Sequence, residues 1–286
     1  MTPTSQRFLS AVALQEIEPT LYDRAFEAKP QYVPWPKAYG GDMVAQALAA
    51  AAATADSDRT VHSTHGYFLR PVDIDAPVRY EVEILRDGRA YSARNVRALQ
   101  HGRVVFASML SLHTGADSPE FQPGVPEMPA PESLPTSADA LAGYDGDAAA
   151  YWSHGRSFDM RHVPSPLYVT HDGHRTPHQA VWLRPFDRLD GDARLHQVAL
   201  AYVCDYTILE PALRVLGLHW SSPGLLTASL DHSMWFHRPV RLDDWLLYAQ
   251  EAASVGSGRA LATGRFFDRD GRLVATVAQE GLVLAP

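Results

Sequence analysis

The length, composition and charge of the chain exclude several classes of protein. It has 286 residues, 46% of them hydrophobic, which is enough for one large domain or two ordinary domains with apolar cores. A formal net charge of -8 and a pI near 5.9 argue against a nucleic-acid partner, because phosphate-backbone binders carry clustered Lys and Arg. An anionic substrate would therefore need a local basic patch.

The N-terminal stretch "FLSAVAL" (residues 8–14) is the first predicted element. It runs directly into Glu16 and Glu18, which favours an amphipathic helix over a signal peptide. No stretch reaches the roughly 18 apolar residues of a membrane span, so we expect no membrane partner. The single cysteine, Cys204, cannot form an internal disulfide, and this predicts a cytoplasmic protein.

An Ala-rich stretch, "GGDMVAQALAAAAATA" (residues 40–55), predicts a helix that a sheet can approach closely. Strands are predicted next over residues 78–85, 90–99 and 103–113. The turns between them are marked by Asp87-Gly88 and His101-Gly102. Since no helices separate these strands, they form an antiparallel meander.

The middle of the chain has a different composition. Nine of the 21 prolines fall between Pro119 and Pro177, which predicts a long connection with one short helix and an added strand. Beyond it, "LHQVALAYVCDYTIL" (residues 195–209) predicts a second helix. Strands are then predicted over residues 245–254, 259–267 and 272–284.

The sequence repeats itself across this connection. "THGYFLRPV" (residues 64–72) is echoed by "LDHSMWFHRPV" (residues 230–240), with Phe236 following Phe68 by 168 positions (236 − 68). "HGRVVFAS" is echoed by "DGRLVATV" at an offset of 169 (270 − 101). Two copies at so long a period predict tandem domains over residues 1–115 and 179–286, joined by a segment over residues 116–178. We therefore predict an α+β double hotdog fold, in which each antiparallel sheet wraps a helix.

Several motifs resemble those of the acyl-CoA thioesterase II family over nearly the whole chain. They are "YGGDMVAQAL", "VHSTHGYFLRP", "LRDGRAYSARNVRALQHGR", "LDHSMWFHRPV" and "VATVAQEGL". The resemblance implies hydrolysis of an acyl-CoA to free fatty acid and coenzyme A, without a cofactor. It also implies that a water molecule is held by Asp205, Ser229 and Gln279. Thr227 is the alternative hydroxyl if the register slips.

The residues themselves are consistent with those roles. Asp205 interrupts an apolar helical pattern, so it is either a solvent-facing residue or a carboxylate in a protected cavity, where it could act as a general base. Gln279 lies in an apolar strand, and a buried amide must be hydrogen-bonded. Gly40 and Gly41, at a helix start, could supply backbone N–H donors to the substrate.

The histidines invite other interpretations. His62 and His65 lack a carboxylate-rich context, so we predict no metal. No G-x-S-x-G motif is present, which argues against a serine hydrolase. His232 and His237 raise the same question, and for His65 and His232 we predict packing and hydrogen bonding.

The sequence leaves the role of two arginines open. Arg70 and Arg238, each followed by Pro, could pair internally or face coenzyme A phosphates, and the internal role is slightly favoured.

An enoyl-CoA hydratase-type enzyme and a non-catalytic acyl-CoA-binding protein are the alternative functions. Exposed sheet edges make a homodimer or homotetramer the expected assembly.

Overall fold

The computed structural model describes residues 1–285, and its first copy of the repeated unit comprises one central helix and five strands. An N-terminal helix and a short strand precede this copy. In chain order the elements are α1 (Pro3–Val12), β1 (Gln15–Ile17), β2 (Arg24–Ala28), α2 (Gly40–Ala53), β3 (Thr60–Phe68), β4 (Val78–Asp87), β5 (Tyr91–Gln100) and β6 (Arg103–His113). We use "first copy" for β2 to β6 together with α2.

The Pro-rich connection contains several short elements. They are a 3-10 turn (Pro131–Ser133), α3 (Ser137–Ala140), α4 (Asp147–Ala150), a π-helical turn (Tyr151–Gly155) and β7 (Phe158–Val163). Strand β7 pairs antiparallel with β8 (His178–Pro185), so the connection extends the sheet of the following unit. The domain limits drawn from the sequence at 115 and 178 stay predictions.

The second copy consists of β8, the helix α6 and strands β9 to β13. The elements after β8 are α5 (Ala193–Val203), a 3-10 turn (Cys204–Tyr206), α6 (Glu210–Leu216), β9 (Leu226–Ser229), β10 (Asp231–Phe236), β11 (Leu246–Gly256), β12 (Arg259–Phe267) and β13 (Leu273–Leu284). The continuous helix predicted over residues 195–209 is wrong. The chain leaves the α-helix after Val203, and α6 begins with Pro211 in its first turn, where a missing N–H costs nothing.

This interruption changes which helix corresponds to α2. Helix α6 packs on β8, β11 and β12 as α2 packs on β2, β4 and β5, whereas α5 packs against α2 between the copies. The sequence offset agrees, since Asp42 in the first turn of α2 and Glu210 in the first turn of α6 are 168 positions apart (210 − 42). Both side chains are fully buried.

One antiparallel sheet runs through both copies. Its strand order is β1-β2-β4-β5-β6-β3-β10-β13-β12-β11-β8-β7, and β9 pairs with β13 to one side. The echoed strands β3 and β10 join the copies, with His65 opposite Ser233. These two residues are themselves 168 positions apart (233 − 65), so the echoed segments meet on a pseudo-two-fold axis.

The core explains the Ala-rich helix. Ala45, Ala47, Ala50 and Ala51 of α2 are at most 1% exposed, and their small side chains let the curved sheet and α5 approach the backbone closely. A single apolar cluster continues from α2 into α5, α6 and the second sheet. The predicted α+β double hotdog fold is confirmed.

Candidate active site

Asp205, Ser229 and Gln279 form one hydrogen-bonded cluster. The Oδ1 atom of Asp205 accepts hydrogen bonds from the Oγ of Ser229 at 3.1 Å and from the Nε2 of Gln279 at 2.6 Å. The Nε2 of Gln279 also lies 3.0 Å from the Oγ of Ser229. Two polar side chains, 24 and 74 positions further along the chain, therefore converge on the carboxylate of Asp205.

Local structure brings each of these side chains to the cluster. Asp205 is in the 3-10 turn where α5 ends, so it follows an apolar buried helix without belonging to it. Ser229 is the last residue of β9 and lies opposite Gly281 of β13. Because β13 alternates its side chains between two faces, Gln279 shares a face with Gly281 and meets Ser229 there.

His232 controls the orientation of the Gln279 amide. Its Nδ1 atom lies 2.8 Å from the Oε1 of Gln279, and burial lowers the pKa of His232 to about 4. The neutral ring therefore carries one proton, and placing it on Nδ1 makes the ring a donor to the amide oxygen. This leaves the amide NH2 of Gln279 to donate to Asp205 and Ser229.

The environment of Asp205 raises its proton affinity. Burial raises the pKa of the carboxyl to about 6. Hydrogen bonds from Gln279 and Ser229, the backbone N–H of Gly41 and the positive charge of Lys37 lower the pKa, but burial has the larger effect. At neutral pH the group is thus mainly ionised and a stronger base than an ordinary aspartate.

The two predicted glycines take different positions beside this carboxylate. A Cβ atom on Gly40 would lie 2.6 Å from the Oδ2 of Asp205, so only glycine permits the approach. A Cβ on Gly41 would lie 2.2 Å from the carbonyl oxygen of Tyr202. Gly40 lines the pocket described below, whereas Gly41 is buried and its backbone N–H lowers the pKa of Asp205.

A cavity of about 360 Å³ opens beside the cluster and is lined by both copies and the connection between them. Its inner wall is aromatic, with Trp35, Tyr151, Trp152 and Tyr206. The buried guanidinium of Arg156 lies over the Tyr206 ring at 4.4 Å from its centroid. The cavity therefore joins a polar cluster to a largely apolar compartment.

Lys37 is a pocket residue that the sequence did not single out. Its Nζ donates to the backbone oxygen of Thr227 at 2.8 Å, and burial lowers its pKa although the charge of Asp205 opposes this. The signal was the repeat itself, because Lys37 precedes Asp205 by 168 positions (205 − 37). Thr227 lines the pocket too, but the hydroxyl against Asp205 belongs to Ser229.

The other histidines named from the sequence lie away from the cluster. His62 contacts the Oγ of Ser111 at 2.7 Å, His65 contacts the Oγ of Ser233 at 3.0 Å, and His237 contacts the Oγ1 of Thr276 at 2.8 Å. Within residues 1–285, no three His, Cys, Asp or Glu side chains are grouped to hold a metal ion.

The fold and this site define a double hotdog protein with a half-buried carboxylate beside a largely apolar pocket. Family models match both copies: the one described as "Acyl-CoA thioesterase" matches residues 153–282, and the one described as "Acyl-CoA thioesterase N-terminal domain" matches residues 31–113.

Individual relatives agree with the family models. The chain is 34% identical to human acyl-coenzyme A thioesterase 8 over 98% of this chain and 91% of that protein. It is 35% identical to acyl-CoA thioesterase 2 of Haemophilus influenzae, over 91% of this chain and 92% of that one. The crystal structure of acyl-CoA thioesterase II TesB2 from Mycobacterium marinum matches at a TM-score of 0.78 and 36% identity, covering 98% of this chain and 97% of that chain. The chain therefore belongs to the acyl-CoA thioesterase II family, and the resemblance seen in its motifs is confirmed.

Among the helices of residues 1–285, none is long and apolar enough to cross a membrane.

Proposed function

We propose that Asp205, Ser229 and Gln279 position and activate the water with which this acyl-CoA thioesterase hydrolyses acyl-CoA to free fatty acid and coenzyme A. The observation that carries the proposal is the convergence of a hydroxyl and an amide on the Oδ1 of Asp205, at 3.1 and 2.6 Å. A water held beside these groups meets the carboxylate as a base, and the hydroxyl and the amide can exchange their bonds within the cluster for bonds to the water.

The chemistry asks little more of the protein. Asp205 takes a proton as the water oxygen attacks the thioester carbonyl, and the carbon–sulfur bond then breaks. Because a thiol has a pKa of about 8.5, the thiolate leaves readily and recovers the proton that Asp205 accepted. No covalent intermediate with the enzyme is needed, in keeping with the half-buried carboxylate reaching the cavity.

The cavity supports an assignment of the two ends of the substrate. The aromatic compartment formed by Trp35, Tyr151 and Trp152 suits an acyl chain, because burying methylenes there removes apolar surface from water. Gly40 lines the cavity at the carboxylate and would face the thioester group. Gly41 would act indirectly, since its backbone N–H lowers the pKa of Asp205.

The test is Asp205→Asn, with release of free thiol followed on a series of acyl-CoAs. We expect kcat to fall by about a thousandfold, in the range found when a general base is removed. Wild-type turnover by the folded variant would contradict the proposed mechanism.

The same assay separates the alternative functions. A hydratase-type enzyme would convert an enoyl-CoA without releasing thiol, and an acyl-CoA-binding protein would bind substrate saturably without any turnover. Thiol release by the unmutated protein that exceeds the Asp205→Asn rate excludes both for this chain.

We also propose a cytoplasmic location and assembly into a homodimer or homotetramer. The location is supported by the one cysteine, Cys204, which is buried and unpaired. The assembly is supported by exposed large apolar side chains on the strands next to the pseudo-two-fold axis, including Tyr67, Met109 and Trp235.

A further inference from the structure

Arg70 and Arg238 are echoed residues, 168 positions apart (238 − 70), that the proposed mechanism does not use. Each makes the same backbone contact in its copy. The Nη1 of Arg70 donates to the backbone oxygen of Val104 at 2.5 Å, and the Nη1 of Arg238 donates to that of Leu273 at 2.7 Å. One nitrogen of each guanidinium is therefore hydrogen-bonded to a strand, β6 for Arg70 and β13 for Arg238.

The remaining nitrogens of the two arginines have different surroundings. Arg238 donates from Nε and Nη2 to Glu120, at 3.1 and 2.8 Å, and only 16% of its side chain is exposed. Arg70 is exposed, and within residues 1–285 no carboxylate lies at ion-pair distance from it. Its Nε and Nη2 thus form an open fork on a side chain whose position is already fixed.

A second pair of echoed arginines differs in the same way. Arg272 lies 2.8 Å from a carboxylate oxygen of Asp268 and 3.6 Å from one of Asp270. Its counterpart Arg103, 169 positions earlier (272 − 103), is exposed and has no such partner in the described part of the chain. The residue equivalent to Asp270 is His101, whose one acidic neighbour is Asp73 at 3.5 Å.

These first-copy residues lie together at the mouth of the reaction cavity. Arg70 lines the cavity itself, and it also lines an adjoining surface depression with His101 and Arg103. We call Arg70, His101 and Arg103 the Arg70 patch. In the second copy, the equivalent arginines are neutralised and do not line the cavity.

We propose that the Arg70 patch binds the phosphate groups of the coenzyme A part of the substrate. Coenzyme A carries a pyrophosphate and a 3′-phosphate at the far end of its pantetheine arm, so its anionic end lies outside the cavity when the thioester is at Asp205. On a chain with a net charge of -8, such a substrate needs a local positive surface. The planar fork of an arginine matches two phosphate oxygens. The inference rests on the proposed function and adds the site for the nucleotide end.

The central experiment compares Arg70→Gln with Arg238→Gln as a matched control. Both variants lose the same backbone contact, but only the first removes a residue at the cavity mouth. Each is assayed with an acyl-CoA and with the N-acetylcysteamine thioester of the same acyl group, which lacks every phosphate. The readout is the ratio of the two KM values.

For Arg70→Gln we expect KM for acyl-CoA to rise roughly tenfold relative to KM for the short thioester, as expected for loss of a charge-assisted contact. For Arg238→Gln we expect a lower Tm and an unchanged ratio, because the ion pair with Glu120 is structural. An unchanged ratio in Arg70→Gln, or an equal change in both variants, would overturn the proposal.

Two further measurements keep the test independent of stability and of the mechanism. The side chain of Arg103 makes no hydrogen bond to any of residues 1–285, so we expect Arg103→Gln to raise the same ratio by a smaller factor, about threefold, and no rise would contradict the patch. In the unmutated enzyme, added salt should raise KM for acyl-CoA and leave the short thioester unaffected. Because these readouts concern substrate binding, failure of the base mechanism in Asp205→Asn would leave them unchanged, and the two proposals fail separately.

Discussion

Where the first copy has Gly40 and Gly41, the second copy has Ile208 and Leu209, 168 positions later. The polar cluster, in contrast, belongs to the second copy. Asp205, Ser229 and Gln279 are all second-copy residues, and the first-copy counterparts of Asp205 and Gln279 are Lys37 and Leu110 (279 − 169). The bare helix start of one copy therefore receives the carboxylate of the other. The two copies share one scaffold, and each places different residues beside the same cavity.

The largest effect in this comparison is expected when each member of the echoed pair, Gln279 and Leu110, is replaced by alanine. Gln279→Ala should lower kcat by about a hundredfold, because the water and Asp205 lose the amide that orients them. Leu110→Ala, at a side chain that is 1% exposed, should destabilise the fold by about 2–5 kcal/mol and leave kcat per folded molecule unchanged. Steady-state kinetics and urea unfolding measure the two effects, and full kcat in folded Gln279→Ala would contradict the asymmetry.

A smaller effect is expected from the paired glycines. Gly40→Ala should reduce kcat about tenfold in a folded protein, since its Cβ would lie 2.6 Å from the Oδ2 of Asp205, a carboxylate whose other oxygen, Oδ1, is held by hydrogen bonds. Gly41→Ala should instead lower Tm, because its Cβ would meet the backbone of Tyr202 at 2.2 Å. Thermal unfolding alongside kinetics distinguishes them. Equal kinetic defects at equal stability would show that Gly40 has no special relation to the carboxylate.

The smallest effect concerns the cost of keeping Asp205 in its site. Burial raises the pKa of Asp205 from 3.8 to about 6, so the folded protein holds this proton more tightly than the unfolded chain. The contribution of Asp205 to stability therefore falls as pH rises from about 4 to 6, and stays low above that.

Asp205→Asn removes this dependence, so its stability relative to the unmutated protein should be about 2 kcal/mol higher at pH 7.5 than at pH 4. Urea unfolding at the two pH values measures the difference. The same pKa predicts that kcat/KM of the unmutated enzyme falls tenfold per pH unit below about 6. A stability difference that does not depend on pH would contradict the assigned pKa.

Much of this molecule could be read from the sequence because its signals are local or repeated. The meander strands follow from alternation and turn residues, and β4, β5 and β6 lie within a few residues of their predicted limits. The motifs shared with the acyl-CoA thioesterase II family indicated three site residues, and the structure joins these three by hydrogen bonds. The repeat predicted two copies of one fold.

What the sequence missed depends on contacts between distant segments. The apolar run of residues 195–209 reads as one helix, since nothing local marks the 3-10 turn that carries Asp205. The role of His232 requires knowing that β10 lies beside β13. Likewise, Arg70 and Arg238 look equivalent until Glu120, 118 positions from Arg238, is seen to pair with one of them.

The sequence by itself determined the class of fold and its duplication, because periodicity, turns and repeated motifs can be read along the chain, and its resemblance to the family indicated the residue types of the site. Only the tertiary structure decided that the pocket lies between the copies, with the helix start of one against the carboxylate of the other. It also decided which arginine is free to bind. These outcomes depend on burial and on the pairing of charges across the sheet, which no stretch of sequence contains alone.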